Sequence, residues 1–248
     1  MAAKIRADVA LVDRGLVESR AKAQALIMAG VVFSGEKKIL KAGQQIKEDQ
    51  PLDVRGKDHP WVSRGGLKLE KGLVEFGVAA TGAVVVDVGA STGGFTDVAL
   101  TNGAKRVYAV DVGSGQLAWK LRNDERVVVL EKTNARYLTA AEIPEPVDLV
   151  VCDASFISLK TVLPAALAQV KIGGKLIALI KPQFEVGREN VGKGGVVRDP
   201  ELHKAVCEDI RLWLDGLEGW HAEGITESPI KGPEGNVEFL IYGVKHGG

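Results

Sequence analysis

Between Ala83 and Asp111 the chain passes from an apolar β-branched run through a glycine-rich turn and a short helical stretch into a second β-branched run. The first run, Ala83 to Val88, leads into Asp87-Val88-Gly89-Ala90-Ser91-Thr92-Gly93-Gly94-Phe95. A helix is expected from Phe95 to Leu100, and the second run, Arg106 to Val110, ends in the carboxylate of Asp111. Strand, glycine turn, helix and acid-ended strand is the order of a nucleotide-binding βαβ unit. The glycines let backbone approach a ligand where a side chain would clash. Asp111 is placed to accept hydrogen bonds from two ribose hydroxyls.

The turn reads G-A-S-T-G-G, so the G-x-G-x-x-G pyrophosphate fingerprint is absent. Asp87, two residues before Gly89, repels phosphate and suits a cationic or amine-bearing ligand. S-adenosylmethionine (SAM) has a sulfonium, an ammonium and a ribose, and is the expected cofactor. The competing reading is a glycine turn that merely joins strand to helix. The pairing of Asp87 with Asp111 weighs against it.

The 248 residues suffice for one large domain and a small one, and 46% hydrophobic content supports a packed core. Net charge is zero, but residues 1–60 carry 11 Lys and Arg against 8 Asp and Glu. That mild excess hints at a polyanion partner for the N-terminal part. No apolar run reaches a membrane span and no signal-peptide core is evident, so a cytoplasmic protein is expected. Two cysteines, Cys152 and Cys207, fit a reducing compartment, and the four histidines show no ligand spacing, so no metal site is expected.

Residues 1–60 read as a separate small α+β module. Val9, Leu11, Val12 and Leu16 fit a short helix ending near Gly15. Ser19 then caps a second helix, Arg20 to Ala29, with Ala25, Leu26 and Met28 expected inward. Short strands follow at residues 31–33, around Ile46 and at residues 52–54. Its basic residues read equally as a solvated surface. The pattern R-x-D-x-x-L-V-x-x-G-L-x-x-S-R-x-x-A-x-x-L-I-x-x-G-x-V, from Arg6 to Val31, resembles the small RNA-binding domain first named from ribosomal protein S-four. That resemblance implies RNA backbone held by the second helix and adjoining turn, with Arg20, Lys22 and Gln24 facing phosphate and Arg6 among the RNA-binding residues.

Residues 58–66 read as a linker because Pro60 and the Gly65-Gly66 pair interrupt regular structure. Leu67, Leu69, Leu73 and Phe76 suggest a helix leading into a domain spanning residues 61–248. Strand-like runs at 126–130, 148–152, 175–180, 221–226 and 237–244 alternate with helical stretches at 161–170 and 201–217. This is the grammar of a doubly wound α/β sheet. The last two runs are too close, with Pro229 and Pro233 between them, for a helical crossover, so they should pair antiparallel. The expected fold is a Rossmann-like SAM-dependent methyltransferase sheet with an antiparallel last strand.

Two motifs fall at carboxyl ends of strands, where open α/β sheets place their sites: Cys152-Asp153-Ala154-Ser155-Phe156 and Ile180-Lys181-Pro182-Gln183-Phe184. A lone strand-end lysine is usually solvated, but Asp153 and Lys181 end adjacent strands. Lys68 and Glu238 are candidates to complete the group, although each alone reads as a surface charge. Lys68, Asp153, Lys181 and Glu238 stand in the K-D-K-E order of the FtsJ-type RNA 2′-O-methyltransferases. G-A-S-T-G-G-F resembles that group's G-A-x-x-G-G-[FW]. With the S-four-like module in front, W-V-S-R-G-G-L-K-L joining the two parts, and the stretch Lys181 to Gly187, the whole chain resembles the TlyA family.

The resemblance implies methylation of cytidine ribose 2′-hydroxyls in ribosomal RNA, with ribosomal RNA or ribosomal subunits as partner; the lack of a spanning run leads to an expectation of no membrane partner. The resemblance also implies SAM contacts by Asp87, Gly89, Ala90, Ser91, Gly94, Phe95, Asp111 and Asn134, the last equally readable as a turn residue. A ribose hydroxyl is a poor nucleophile at neutral pH, so its proton must be drawn off during attack. A lysine does this only when neutral, a state favoured by burial and a second cation. Hence Lys181 is the expected base, Lys68 the second cation, Asp153 an orienting group and Glu238 the holder of Lys68. Residues 187–199, rich in glycine and charge, read as a mobile loop near RNA or a plain surface loop. Some family members are labelled hemolysins, so a membrane-active protein is one rival. A catalytically silent RNA binder is another, and a base methyltransferase a third, although no N-P-P-Y-like run is present.

Overall fold

The computed structural model describes residues 4–28, 30–35, 37–47, 50–54 and 59–247. Residues 4–54 supply β1 (Lys4–Arg6), α1 (Ala7–Asp13), α2 (Arg20–Met28), β2 (Val32–Ser34), β3 (Lys37–Lys38), β4 (Gln45–Lys47) and β5 (Asp53–Val54). β1 pairs antiparallel with β4, and β2 pairs with both β3 and β5. Ala7, Ala10 and Leu11 of α1 meet Ala23 and Ile27 of α2 in a core of their own with Val32, Ile39 and Ile46. Ser19 caps α2 as expected, accepting from the Lys22 backbone N–H at 3.2 Å. The inward face of α2 corrects the sequence reading: Ala23 and Ile27 point in, Ala25 is exposed, and Met28 is 87% exposed. The i, i+4 pair of small Ala23 and branched Ile27 fits against α1, which turns Met28 outward. Ala29, expected as the last residue of that helix, and Asp58, expected to start the linker, lie outside the described residues.

The rest of the expected linker is built into the larger unit. Trp61 is buried, and its ring lies so close to Gly66 that a Cβ there would overlap it. The Val62 N–H donates to Asp97 Oδ2 at 2.8 Å, and Trp61 Nε1 donates to Glu70. α3 (Gly66–Glu75) follows at once. An indole supplies more burial than a linker leaves exposed, which is why the Pro and Gly signals mislead here.

Seven strands form one sheet in the order β11-β12-β10-β9-β6-β7-β8. They are β6 (Val84–Val88), β7 (Arg106–Val110), β8 (Val127–Leu130), β9 (Val147–Cys152), β10 (Val170–Ile180), β11 (Trp220–Glu227) and β12 (Phe239–Lys245). β6 to β10 run parallel, and β12 inserts antiparallel between β10 and β11. β6 is buried throughout, with Val84, Val86 and Val88 on one face and Val85 on the other. Burial on both faces explains its unbroken β-branched composition.

One face is covered by α3, α4 (Gly94–Thr101) and α5 (Trp119–Arg122) through Leu69, Leu73, Val98 and Leu121. The other is covered by α6 (Leu159–Val162), α7 (Pro164–Ala168) and α9 (Pro200–Asp215). The helix expected over 161–170 is broken in two, with Pro164 opening the second piece, because proline has no N–H to continue the first. A one-turn helix, α8 (Pro182–Glu185), follows β10. Asp199 caps α9 through the Glu201 N–H at 2.9 Å, with Pro200 in the first turn.

Candidate active site

The glycine turn leaves β6 at its carboxyl end. Gly89 holds φ +81°, and a Cβ there would fall 2.9 Å from Ala154 Cα, so only glycine lets the turn and the end of β9 meet. The Gly89 and Ala90 N–H groups donate to Val110 O, tying the turn to β7. Ser91 takes φ 48° and donates its backbone N–H to Asp111 Oδ2 at 2.8 Å, while the Gly113 N–H donates to Oδ1 at 2.7 Å. Ala90, Ser91, Asp111, Gln116, Leu117 and Glu131 line an open cleft. A Cβ at Gly113 would lie 3.1 Å from Asp111 Oδ1 and would push the Gln116 amide aside. The Asp111 carboxylate beside the apolar Ala90 and Leu117 is an acceptor for hydroxyl donors, while Glu131 is ion-paired with Arg122.

Gly89, Ala90, Ser91 and Asp111 therefore come together as expected, but other turn residues are placed differently. Asp87 lies beneath the turn, fully buried, accepting from Thr96 Oγ1 at 2.7 Å. Its Oδ1 has no hydrogen-bond partner among the described residues, and burial pushes its carboxyl up to about 7. Gly94 is packed against Ser63 and the Gly66 backbone, and Phe95 is 3% exposed in the core. These three support the turn from behind; the spacing conveys their neighbourhood but not their depth. Asn134 accepts from the Arg136 N–H at 3.1 Å and caps a 3-10 turn, Ala135–Tyr137, with its side chain exposed.

Lys68, Asp153, Lys181 and Glu238 converge from α3, the ends of β9 and β10, and the entry to β12. Asp153 bridges two ammonium groups: Oδ1 lies 2.5 Å from Lys181 Nζ and Oδ2 lies 3.4 Å from Lys68 Nζ. Lys181 also donates to Ser155 Oγ at 2.9 Å and to the Asp153 carbonyl at 3.2 Å. Lys68 is held on its far side by Glu238 Oε2 at 2.7 Å. Both lysines are 6% exposed and Glu238 is wholly buried, with Gly232 packed on its Oε1 so closely that no Cβ fits. The expected holder of Lys68 is thus Glu238. The second cation, however, reaches Lys181 only through Asp153, which neutralises the charge it was expected to press on the base.

Two neighbours carry chemistry that the sequence reading left unassigned. Ser155 is the third group on Lys181, and its only sequence signal is its place two residues past Asp153. Phe156 is 89% exposed at φ 64°, with its ring 5.1 Å from that of Phe184. An aromatic side chain held outward on left-handed backbone beside a polar site offers a stacking surface.

In the N-terminal unit, Arg6, Arg20 and Gln24 all donate to the buried carboxylate of Asp8, whereas Lys22 is exposed. Gln24 is likewise exposed, with its Nε2 donating to Asp8 Oδ2 at 3.1 Å. The segment 187–199, read as a mobile loop near RNA or a plain surface loop, is anchored at its end. Val196 and Val197 are buried, Gly192 bridges to Val196, and the Val197 N–H donates to Asn236 Oδ1 at 3.1 Å. Among the described residues no cluster of His, Cys, Asp or Glu could hold a metal ion, and no helix is long and apolar enough to cross a membrane.

Residues 61–245 match the family model of FtsJ-like methyltransferases. The chain is 52% identical to a Bacillus subtilis protein provisionally named rRNA methyltransferase YqxC, over 96% of this chain and 85% of the relative. It is 48% identical to the Mycobacterium tuberculosis 16S/23S rRNA (cytidine-2′-O)-methyltransferase TlyA, over 98% of this chain and 90% of that one. A solved Streptococcus thermophilus structure, provisionally described as a hemolysin, superposes with a TM-score of 0.76 at 43% identity, covering 99% of this chain and 90% of its own.

Proposed function

The chain belongs to the TlyA-like FtsJ methyltransferases, and from that premise we propose that it methylates the ribose 2′-hydroxyl of a cytidine in ribosomal RNA. Fold and family imply a SAM site and SAM-dependent methylation of RNA. The finer reading rests on one observation: Lys181 Nζ is held at 2.5 Å by Asp153 and at 2.9 Å by Ser155, at the mouth of the sheet.

SAM supplies a methyl group on a sulfonium, which departs as a neutral thioether carrying the electron pair of the C–S bond. Asp111, its carboxylate oriented by the Ser91 backbone N–H, would hold its ribose end. Lys181, once its ammonium has released a proton to solvent, would take the 2′-hydroxyl proton as that oxygen attacks the methyl group. Asp153 and Ser155 aim the amine, and the Glu238–Lys68 pair fixes Asp153, so that geometry is preset. The exposed Phe156 ring, backed by Phe184, suits the face of the target base. The N-terminal unit, taken as residues 1–60 ahead of a catalytic domain 61–248, grips the RNA backbone.

A thiol-based base methylation finds no nucleophile here. Cys152 is fully buried and its thiol is pushed up to about 12, while burial pushes Cys207 up to about 11. Neither supplies the thiolate such chemistry needs. The test is to incubate the purified protein with methyl-labelled SAM and ribosomal subunits, then digest the RNA to nucleosides. Label in 2′-O-methylcytidine is expected. Label on a base, or none from protein that binds SAM, overturns the reading.

A further inference from the structure

We propose that Asp8 is a positioning residue for RNA, its buried carboxylate fixing Arg6 and Arg20 as one preformed phosphate-binding pair. The inference rests on the RNA-gripping role given above to the N-terminal unit.

The Asp8 side chain is 0% exposed, yet five donors reach it. Arg6 donates from Nε to Oδ1 and from Nη2 to Oδ2, both at 2.9 Å. Arg20 Nη2 donates to Oδ2 at 3.2 Å and Gln24 Nε2 at 3.1 Å. The Val9 N–H donates to Oδ1 at 3.0 Å. The Arg6 fork holds this carboxyl well below the usual carboxylate range.

The arrangement is asymmetric: the acid is inside, while the arginine side chains are 44% and 57% exposed. A buried carboxylate would be satisfied by the bidentate Arg6 fork and one backbone N–H. Arg20 and Gln24 nevertheless reach it from α2, drawing together cations that start from separate elements. Arg6 spends the Nε edge on Asp8 and extends Nη1 across Gly43, where a Cβ would lie 3.3 Å from it, and its side chain stays 44% exposed. A guanidinium already held in one rotamer loses less entropy on meeting a phosphate than a free one.

Charge counting and preorganisation predict opposite results for Asp8→Asn. The substitution makes the unit more positive, so charge alone favours tighter RNA binding. If Asp8 positions the pair, affinity falls despite the added charge. Binding of the full-length protein to labelled 16S and 23S rRNA transcripts is measured across a salt series, with SAM affinity and thermal unfolding as controls. Asp8→Asn is expected to weaken RNA binding about tenfold or more and flatten its salt dependence, with SAM affinity unchanged. Equal or tighter RNA binding by the folded variant overturns the proposal.

Should that variant not fold, Arg6→Lys carries the test, because the residue is half exposed and its charge is kept. Lysine cannot reproduce the fork, so a loss of about threefold or more is expected, and unchanged affinity overturns the proposal. The paired Arg6→Ala, Arg20→Ala variant separates the two levels. If it binds RNA normally, the RNA face itself is misassigned. If it binds weakly while Asp8→Asn does not, only the positioning role fails.

Discussion

Glu238→Gln removes one charge from the least accessible member of the four-residue cluster while keeping its shape. Glu238 is wholly buried, and its Oε2 lies 2.7 Å from the ammonium of Lys68, itself only 8% exposed at the side chain. At an effective dielectric of about 20, two unit charges at that separation attract by about 6 kcal/mol. Desolvation of both groups offsets much of this, and breaking a buried pair from one side costs about 3–5 kcal/mol. Lys68 keeps Asp153 at 3.4 Å, and the Gln carbonyl still accepts, so the lower end applies: about 3 kcal/mol of stability lost. Urea unfolding followed by tryptophan fluorescence reads this as a lower midpoint at unchanged slope. Methyl transfer should also fall, because Lys68 is then drawn wholly onto Asp153 and disturbs its contact with Lys181. Adding Lys68→Met to Glu238→Gln removes the stranded charge and should restore part of the stability. A loss below about 0.5 kcal/mol for the single variant would refute the desolvated pair on which the estimate stands.

Asp111→Ala should weaken SAM binding by about 1–3 kcal/mol by calorimetry, since a carboxylate acceptor is lost from the cleft; unchanged affinity would reject its ribose role. Asp87→Asn tests burial under the turn. Its folded value of about 7 stands above the ordinary 3.8, so wild-type stability should fall as pH rises from about 4 to about 7, by at most ~4 kcal/mol, and then level. That segment should vanish in the Asn variant, and identical pH profiles would contradict it. Gly66→Ala should destabilise by about 1–3 kcal/mol in thermal unfolding, because the new Cβ overlaps the Trp61 ring. A wild-type melting temperature would show that residues 61–66 are not packed as described.

The sheet was legible because β6, β7 and β9 are buried and parallel, which writes them as continuous Val-rich runs. The four-residue cluster was legible for a related reason: Asp153 and Lys181 are polar residues immediately after such runs, so topology brings them together. What lay hidden was depth and side-chain direction. Asp87 and Asp111 look alike in sequence, yet one is sealed under Thr96 and the other opens on the cleft. Gly94 reads as a ligand-approach glycine but admits the Ser63 hydroxyl and the Gly65-Gly66 backbone instead. Asp153 stands between the two lysines because α3 crosses the sheet end there, a contact spanning 85 residues that no local pattern encodes. Met28 is hydrophobic enough to look inward, yet the small Ala23 sets the approach of the helices and leaves it exposed.

The most direct test of the account is Lys181→Arg, assayed for methyl transfer to ribosomal RNA under single-turnover conditions across pH. Arginine keeps the positive charge opposite Asp153 but does not deprotonate at usable pH. This variant should bind SAM and RNA yet transfer no methyl group, and the wild-type chemical rate should rise with pH. An active arginine variant, or a flat wild-type profile with chemistry limiting, would contradict proton removal by Lys181.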